Sequence, residues 1–359
     1  MKEIKKYFTF FARNLSFFLF LGQSCKKMRR EEENDMCTAI ARNDGDFYFG
    51  RSLDLDVSFG ERVVLTPRNF PLRFCMEPPQ RRHYAMLGMA TVEDGYPLYA
   101  EAMNECGICV AGLSFPGNAH YFESAEEGSI NLAPYELIPY LLGNCAGLAE
   151  ARALLQDLNL VNRPFREDIP LSPLHWLVAD RTGAIVIEST AGGVRIYDDP
   201  AGVLTNNPPF EFHLQNLSHY GNLTANPVRS NFLEESGAER FGLGLGGCGL
   251  PGDYSSTSRF VRAAWLLKQA TGGETESARV ARFFHLIAAV SPVKGSVLTE
   301  RGELHYTRYT SCANATQGVF YFHTAENPTV YNVSFEKYGT EGETLTLCEL
   351  PKDAIFFDL

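Results

Sequence analysis

Short apolar or alternating runs dominate the chain from residue 36 onward, and turn residues such as NDG at 43–45 separate them. Runs of this kind, bounded by Gly, Asn, Asp or Ser, are typical of β-strands. The pattern predicts strands at 38–41, 47–49, 62–67, 86–91, 96–104, 109–113, 174–180, 184–188, 194–197, 202–204, 306–312, 318–323, 330–334 and 344–347.

Apolar residues recur at helical spacing in two pairs of segments, at 132–142 and 146–158 and again at 259–271 and 274–289. The order is therefore a run of strands, two helices, strands, two helices and a last run of strands. Such segregation favours a layered α+β domain over a βαβ alternation. Since the chain shows no internal repeat or low-complexity linker, we expect a single domain at 37–359.

The first 35 residues differ from the rest, with eight Lys/Arg and five Asp/Glu in a chain of net charge -11. Their apolar stretch LSFFLFL, at 15–21, is far shorter than the roughly 20 residues of a membrane helix. The run at 26–35 consists almost entirely of residues with purine-rich codons, as in a ribosome-binding site translated in frame. We therefore expect Met36 to be the initiator and 1–36 to be a non-native or cleaved, disordered leader. A targeting leader that is removed later is the alternative.

Composition narrows the class of protein. The 359 residues carry 32 basic and 43 acidic side chains, which argues against nucleic acid as a partner. The nine cysteines are scattered and odd in number, a pattern that suits a reducing compartment better than a disulfide framework. We expect a cytoplasmic protein without membrane insertion, or an exported one if 1–35 is a true signal peptide.

Two motifs that resemble cofactor or metal sites lack the required context. The G-x-G-x-x-G string at 242–247 runs into the turn-rich CGLPGD at 248–253 instead of opening a helix. Cys106 and Cys109 form one C-x-x-C without a second pair for zinc. The histidines are well separated, and His175 is expected to be a hydrogen-bonded core residue. We predict no metal site and no cofactor.

The pair Met36-Cys37 carries more specific chemistry. Removal of an initiator methionine would leave Cys37 as the amino-terminal residue. Its thiol could then act as a nucleophile, and its own α-amino group, of pKa about 8, as the base. A nearby arginine favours a thiolate and a carboxylate can orient an ammonium group, and Arg51 and Asp54 follow one strand and one turn later.

These residues resemble the opening of the choloylglycine hydrolases, the N-terminal-nucleophile group that contains bile salt hydrolases and penicillin V acylases. The resemblance runs in order from Met36 to the C-terminus and excludes 1–35. It rests on MCTAI at 36–40, FGRSLD at 49–54, TPRNF at 66–70, GLSFP at 112–116, LSPLHW at 171–176, VLTNNP at 203–208, GLPGD at 249–253, SRF at 258–260 and YTSC at 309–312.

The resemblance implies roles for individual residues. It makes Cys37 the nucleophile, Arg51 its paired arginine, Asp54 the active-site aspartate, Asn206 an oxyanion-hole donor and Arg259 a second active-site arginine. It also implies the four-layer αββα sandwich of N-terminal-nucleophile hydrolases and a homotetramer.

One position departs from the family. Bile salt hydrolases usually have asparagine, and penicillin V acylases tyrosine, where this chain has Ser114. We retain Ser114 as an oxyanion-hole candidate with a shorter reach. Leu53 and Phe115 are predicted to line the pocket for an amphipathic, anionic small-molecule substrate, which the acidic chain would not steer at long range.

The resemblance of 171–176 and 204–210 to the bile salt branch predicts hydrolysis of glycine- or taurine-conjugated bile acids. A penicillin V or N-acyl-homoserine-lactone acylase is the alternative. A non-catalytic scaffold is a third possibility, against which the presence of all five predicted catalytic residues argues.

Overall fold

Two antiparallel sheets form the centre of the computed structural model, which describes residues 35–228, 235–237, 242–354 and 356. Residues 1–34 of the predicted leader lie outside the described residues. The strands are β1 (Met36–Asp44), β2 (Asp46–Leu55), β3 (Arg62–Thr66), β4 (Met86–Glu93), β5 (Tyr96–Asn104), β6 (Cys109–Ser114), β7 (Ile130–Leu132), β8 (Leu158–Leu160), β9 (Leu174–Asp180), β10 (Gly183–Thr190), β11 (Gly193–Asp198), β12 (Val203–Leu204), β13 (Val297–Leu298), β14 (Leu304–Asn314), β15 (Val319–Thr324), β16 (Tyr331–Ser334) and β17 (Thr346–Cys348).

Within the described residues, the first sheet has the order β12-β1-β2-β14-β15-β16, with β13 paired to β14. The second sheet has the order β11-β10-β9-β6-β5-β4-β3-β17. Neighbours in both sheets are antiparallel, and β7 and β8 form a separate parallel pair. The amino-terminal strand β1 therefore lies inside the first sheet, between β12 and β2.

Helices cover the outer face of each sheet. The helices whose two ends lie in the described residues are α1 (Leu137–Asn144), α2 (Leu148–Leu154), α3 (Phe210–Asn216), α4 (Ser256–Gln269), α5 (Glu276–Ala288) and α6 (Phe335–Tyr338). Helices α1 and α2 pack on the second sheet, and α4 and α5 pack on the first. Ser255 and Thr275 cap α4 and α5, each accepting a hydrogen bond from a backbone N–H in the first turn.

The layers are held together by two hydrophobic clusters. Because side chains alternate along a strand, Cys109 and Leu113 of β6 face the first sheet while Val110 faces α1. The cluster between the sheets continues through the first sheet's outer face to Phe260 and Phe283 of α4 and α5. The result is the four-layer α+β arrangement that the resemblance implies, and the prediction of fold class is confirmed.

Several predicted elements differ from the observed ones in extent. The segment predicted as a helix at 146–158 contains the short helix α2, a 3₁₀ turn and the start of β8. Helix α3 was not predicted, because it is short and follows a proline-rich loop. The glycine string at 242–247 leads into a single 3₁₀ turn, with Gly242 and Gly244 at positive φ.

Candidate active site

The β1–β2 hairpin brings the predicted nucleophile and its partners together. Its antiparallel register places Cys37 opposite Leu53 and Met36 opposite Asp54. Since alternate residues point to opposite faces, the side chains divide into two sets. The inner face, directed at the second sheet, carries Cys37 and Arg51. The outer face, directed at α4, carries Thr38 and Asp54.

Cys37 is almost completely buried at the end of this hairpin, with 2% of its surface exposed. Burial raises the pKa of its thiol, and Arg51 opposes that rise. Asp54 and Asp35 raise the pKa further, whereas Arg259 lowers it. The thiol therefore stands between groups of both signs, and a thiolate here depends on the two arginines.

On the inner face, Arg51 is fully buried between the sheets. Its Nη1 donates to the carbonyl of Gly112, and its Nε to that of Ser52 at 3.3 Å. The carboxylate of Glu101 lies 3.8 Å from Nη1. Nη2 is buried without a hydrogen-bond partner among the described residues, which leaves a guanidinium donor available beside the nucleophile.

Glu101 is itself held on both oxygens. Tyr309 donates to Oε2 at 2.7 Å and Ser311 to Oε1 at 2.9 Å. Burial raises the pKa of Glu101, while Arg51 and the two hydroxyls oppose that rise. Sequence reasoning did not identify this carboxylate, because Glu101 lies in the middle of a strand, far along the chain from Arg51.

On the outer face, Asp54 is also fully buried. Thr307 donates to Oδ1 at 2.6 Å and Ser52 to Oδ2 at 3.3 Å. Burial raises the pKa of Asp54 to about 6, although Arg259 and Thr307 oppose the rise. This carboxyl group can therefore change its protonation state near neutral pH.

Arg259 approaches the outer face from the first turn of α4. Its Nη1 donates to the backbone carbonyl of Cys37 and, at 2.7 Å, to Oγ1 of Thr38. Its Nη2 donates to Oδ1 of Asn206 at 2.7 Å. Burial lowers the pKa of Arg259, an effect opposed by Asp54.

Asn206 connects the start of β1 to the end of β6 and to the start of α4. The backbone N–H of Cys37 donates to its Oδ1 at 2.9 Å. Its Nδ2 donates to the backbone carbonyl of Ser114 at 2.8 Å. Its own backbone N–H donates to Oγ of Ser256, the first residue of α4, at 2.9 Å. The structure thus brings together all five residues predicted to be catalytic.

The three remaining predicted residues differ in their surroundings. Leu53 and Ser114 are each 7% exposed at the edge of this cluster. Phe115 is completely buried, and its ring stacks on His175 with 4.3 Å between ring centroids. Its predicted place in a substrate wall would therefore require the ring to leave this stack.

Other features of the described residues lie apart from Cys37. A surface cleft of about 390 Å³ is lined by Arg152, Thr182, Asp198 and neighbouring residues, none of which belongs to the cluster. No group of three or more potential metal ligands occurs in the described ranges. No helix there is long and apolar enough to cross a membrane.

The sequence is similar to a known family of enzymes and to individual members of it. The profile of the family described as linear amide C–N hydrolases, choloylglycine hydrolase family, matches residues 37–346. A "Bile salt hydrolase/transferase" of Lactiplantibacillus plantarum is 42% identical over 322 residues, which cover 90% of this chain and 99% of the relative.

Solved structures agree with that match. A mutant conjugated bile acid hydrolase from Clostridium perfringens superposes with a TM-score of 0.85 at 33% identity, covering 90% of this chain and 99% of the other. A penicillin V acylase from Agrobacterium tumefaciens reaches a TM-score of 0.69 at 18% identity, covering 88% and 92% of the two chains. The second likeness concerns the fold alone.

Proposed function

This chain belongs to the choloylglycine hydrolase family of linear amide C–N hydrolases, and we propose that it hydrolyses the amide bond of glycine- or taurine-conjugated bile acids. The observation that carries the proposal is the position of Asn206, which joins the Cys37 nitrogen to the Ser114 loop and to Arg259. The near-complete coverage of a relative named as a bile salt hydrolase supports the substrate class.

The proposed reaction begins with the residues before Cys37 removed, so that the nitrogen bonded to Oδ1 of Asn206 becomes an α-amine. This amine takes the thiol proton while sulfur attacks the amide carbonyl carbon, and a C–S bond forms. The amine then gives the proton to the leaving nitrogen as the C–N bond breaks, releasing glycine or taurine. Water hydrolyses the resulting thioester and regenerates the thiol.

Asn206 and Ser114 are the proposed oxyanion donors. One N–H of the Asn206 amide is used by the carbonyl of Ser114, and the other is free to reach the oxygen of the tetrahedral intermediate. The Ser114 hydroxyl could add a second donor. Loss of a single such donor costs about 100–1000-fold in rate in other hydrolases.

Asp54 is proposed to orient the ammonium form of the amine. Met36 lies opposite Asp54 in the hairpin register, so removal of Met36 leaves the new amino terminus beside this carboxylate. Arg51 stabilises the thiolate from the inner face. Leu53, opposite Cys37, is proposed to contact the apolar part of the substrate.

A second activity follows from the same thioester. If an amine replaces water as the second nucleophile, a C–N bond forms as the C–S bond breaks, and a new amide is released. The Lactiplantibacillus plantarum relative is named hydrolase/transferase, which supports this possibility for the present chain.

Turnover by protein that begins at Cys37 tests the proposal. We expect release of glycine from glycocholate and of taurine from taurocholate, with penicillin V and an N-acyl-homoserine lactone as the competing substrates. Cys37→Ser is the control and should lose nearly all activity while it keeps its circular dichroism spectrum.

Two outcomes would contradict parts of the proposal. Preferential cleavage of penicillin V would assign the chain to the other branch, and inactivity on every amide would favour a scaffold. Protein that retains residues 1–36 without processing should be inactive, because Cys37 then has no free amine. Light scattering of the same samples tests the proposed homotetramer.

A further inference from the structure

Asn206 is bonded through every polar atom it has, and two of these bonds, those with Ser256 and His213, involve residues outside the predicted site. Its backbone carbonyl accepts a hydrogen bond from Nε2 of His213 at 2.9 Å. The other partners of Asn206 are the nitrogen of Cys37, Arg259, the carbonyl of Ser114 and Ser256. His213 lies in α3, the helix that sequence analysis did not predict.

The surroundings of His213 determine which nitrogen carries its proton. The side chain is completely buried, and Nδ1 has no hydrogen-bond partner among the described residues. A carbonyl oxygen can only accept, so the proton of a neutral ring must lie on Nε2. Burial lowers the pKa of His213 to about 4, with His175 and Arg259 lowering it further and the Asn206 contact and Glu188 opposing. The ring therefore stays a neutral donor at neutral pH.

The ring of His213 is also fixed in orientation. It stacks on Phe260 with 4.7 Å between ring centroids and 21° between the planes. Phe260 follows Arg259 in α4, so one helix holds both the stacked ring and the guanidinium that binds Asn206. Among the described residues, Nδ1 of this buried imidazole has no hydrogen-bond partner, which is costly, and the one hydrogen bond of the ring supports the Asn206 backbone.

We infer that His213 is a positioning residue, whose Nε2–H holds the carbonyl of Asn206 and thereby aims the Asn206 amide at the carbonyl oxygen of the substrate. The inference rests on the proposed function, since it assigns Asn206 to the oxyanion. His213 does not itself touch the reacting atoms. Its contribution should appear in the chemical step rather than in substrate binding.

Two variants separate this role from simple packing. His213→Gln places an amide N–H near the position of Nε2, whereas His213→Leu fills similar space without a donor. We expect His213→Leu to lose about tenfold in kcat with KM changed less than about threefold, because one oriented hydrogen bond is lost. His213→Gln should keep kcat within about threefold of wild type.

The measurement is kcat per folded molecule, with protein taken from the single size-exclusion peak of native size, so that misfolded protein does not count. His83→Leu is the matched control, since Nε2 of buried His83 contacts the carbonyl of Phe70, outside the Cys37 cluster. It should lower thermal stability and leave kcat per folded molecule unchanged. Equal kcat losses in the Leu and Gln variants of His213, or none in either, would overturn the inference.

A spectroscopic readout is independent of turnover. In ¹⁵N-histidine-labelled protein, the resonance that His213→Gln removes should report a neutral Nε2–H tautomer from pH 8 to about 5. An Nδ1–H tautomer, or titration near pH 6.5, would contradict the assignment. Wild-type turnover of conjugated bile salts is measured alongside. Its failure would reject the proposed substrate, while the tautomer would still decide the state of His213.

Discussion

The two faces of the β1–β2 hairpin each bury one arginine and one carboxylate, but they hold them in different ways. On the inner face, Arg51 and Glu101 lie 3.8 Å apart, and two hydroxyl groups donate to Glu101. On the outer face, Arg259 donates to neutral oxygens of Cys37, Thr38 and Asn206. Asp54 there is bonded by hydroxyls.

The two faces therefore differ in how their charges respond to pH. The inner face supplies Arg51, a positive group whose charge does not change with pH and which lies 3.8 Å from Glu101. The outer carboxylate, whose pKa is raised to about 6, stays responsive to protons and lies beside the future amino terminus. At the start of β1, the thiol of Cys37 therefore lies near Arg51, whose charge is constant. The future amine of Cys37 lies near Asp54, whose charge changes with pH.

Breaking the inner pair should give the largest effect on folding. In Glu101→Met, Arg51 stays charged and buried without its partner, so we expect a loss of about 3–5 kcal/mol in the free energy of unfolding. Arg51→Met should cost less, because Glu101, whose pKa is already raised by burial, can take up a proton. Urea denaturation measures both.

The double variant Arg51→Met/Glu101→Met sharpens the result. It should recover stability relative to Glu101→Met but remain inactive, because the thiolate has lost Arg51. A double variant no more stable than Glu101→Met would show that the two side chains do not act as a pair.

Asp54, on the outer face of the hairpin, should determine how activity falls at low pH. The free ammonium of processed Cys37 lowers the pKa of Asp54 from the value of about 6 that burial gives it in the unprocessed chain. Protonation of Asp54 below that pKa removes the charge that orients the ammonium, so kcat/KM should fall about tenfold per pH unit there. The pH profile of protein beginning at Cys37 measures this limb. Asp54→Asn should be far less active and lack it, and a limb that persists in Asp54→Asn must belong to another group.

His213 should make stability depend on pH. Its folded pKa of about 4 lies below the ordinary value of 6.5, so the unfolded chain binds this proton more readily. Stability is therefore lost as pH falls from about 6.5 toward 4, by about 2 kcal/mol at pH 5. Denaturation of wild type and His213→Gln at pH 7.5 and 5 should show a smaller loss in the variant. Parallel losses would contradict the shifted pKa.

The smallest effects should come from the hydroxyls of β14. Thr307→Val removes a donor to Asp54, which raises its pKa and moves the acid limb to higher pH. Ser311→Ala removes a donor to Glu101 and should leave that limb in place. Each should cost about 1 kcal/mol of stability. A shift of the limb in Ser311→Ala would mean that the two faces are not independent.

Sequence patterns by themselves determined much of this protein. The alternating runs predicted most strands of both sheets, and the family motifs identified the five residues that converge at Cys37. The strand predictions succeed because strand periodicity is a local property of the sequence. The site predictions succeed because the motif residues lie in short, recognisable strings. The bounds of short helices such as α3 were less accessible, since packing rather than local spacing stabilises them.

The supporting residues were decided only by the tertiary structure. Between Thr307 and Tyr309, a register shift against β2 places Thr307 opposite Asp54 and Tyr309 opposite Leu53. Regular alternation would direct both side chains to one face, whereas the irregularity sends Thr307 to the outer face and Tyr309 to the inner one. Glu101 likewise acquires Arg51, Tyr309 and Ser311 from strands distant in sequence. The ring of His213 packs on Phe260 of the distant helix α4. Long-range pairing, which no local pattern encodes, therefore decides how the nucleophile is supported.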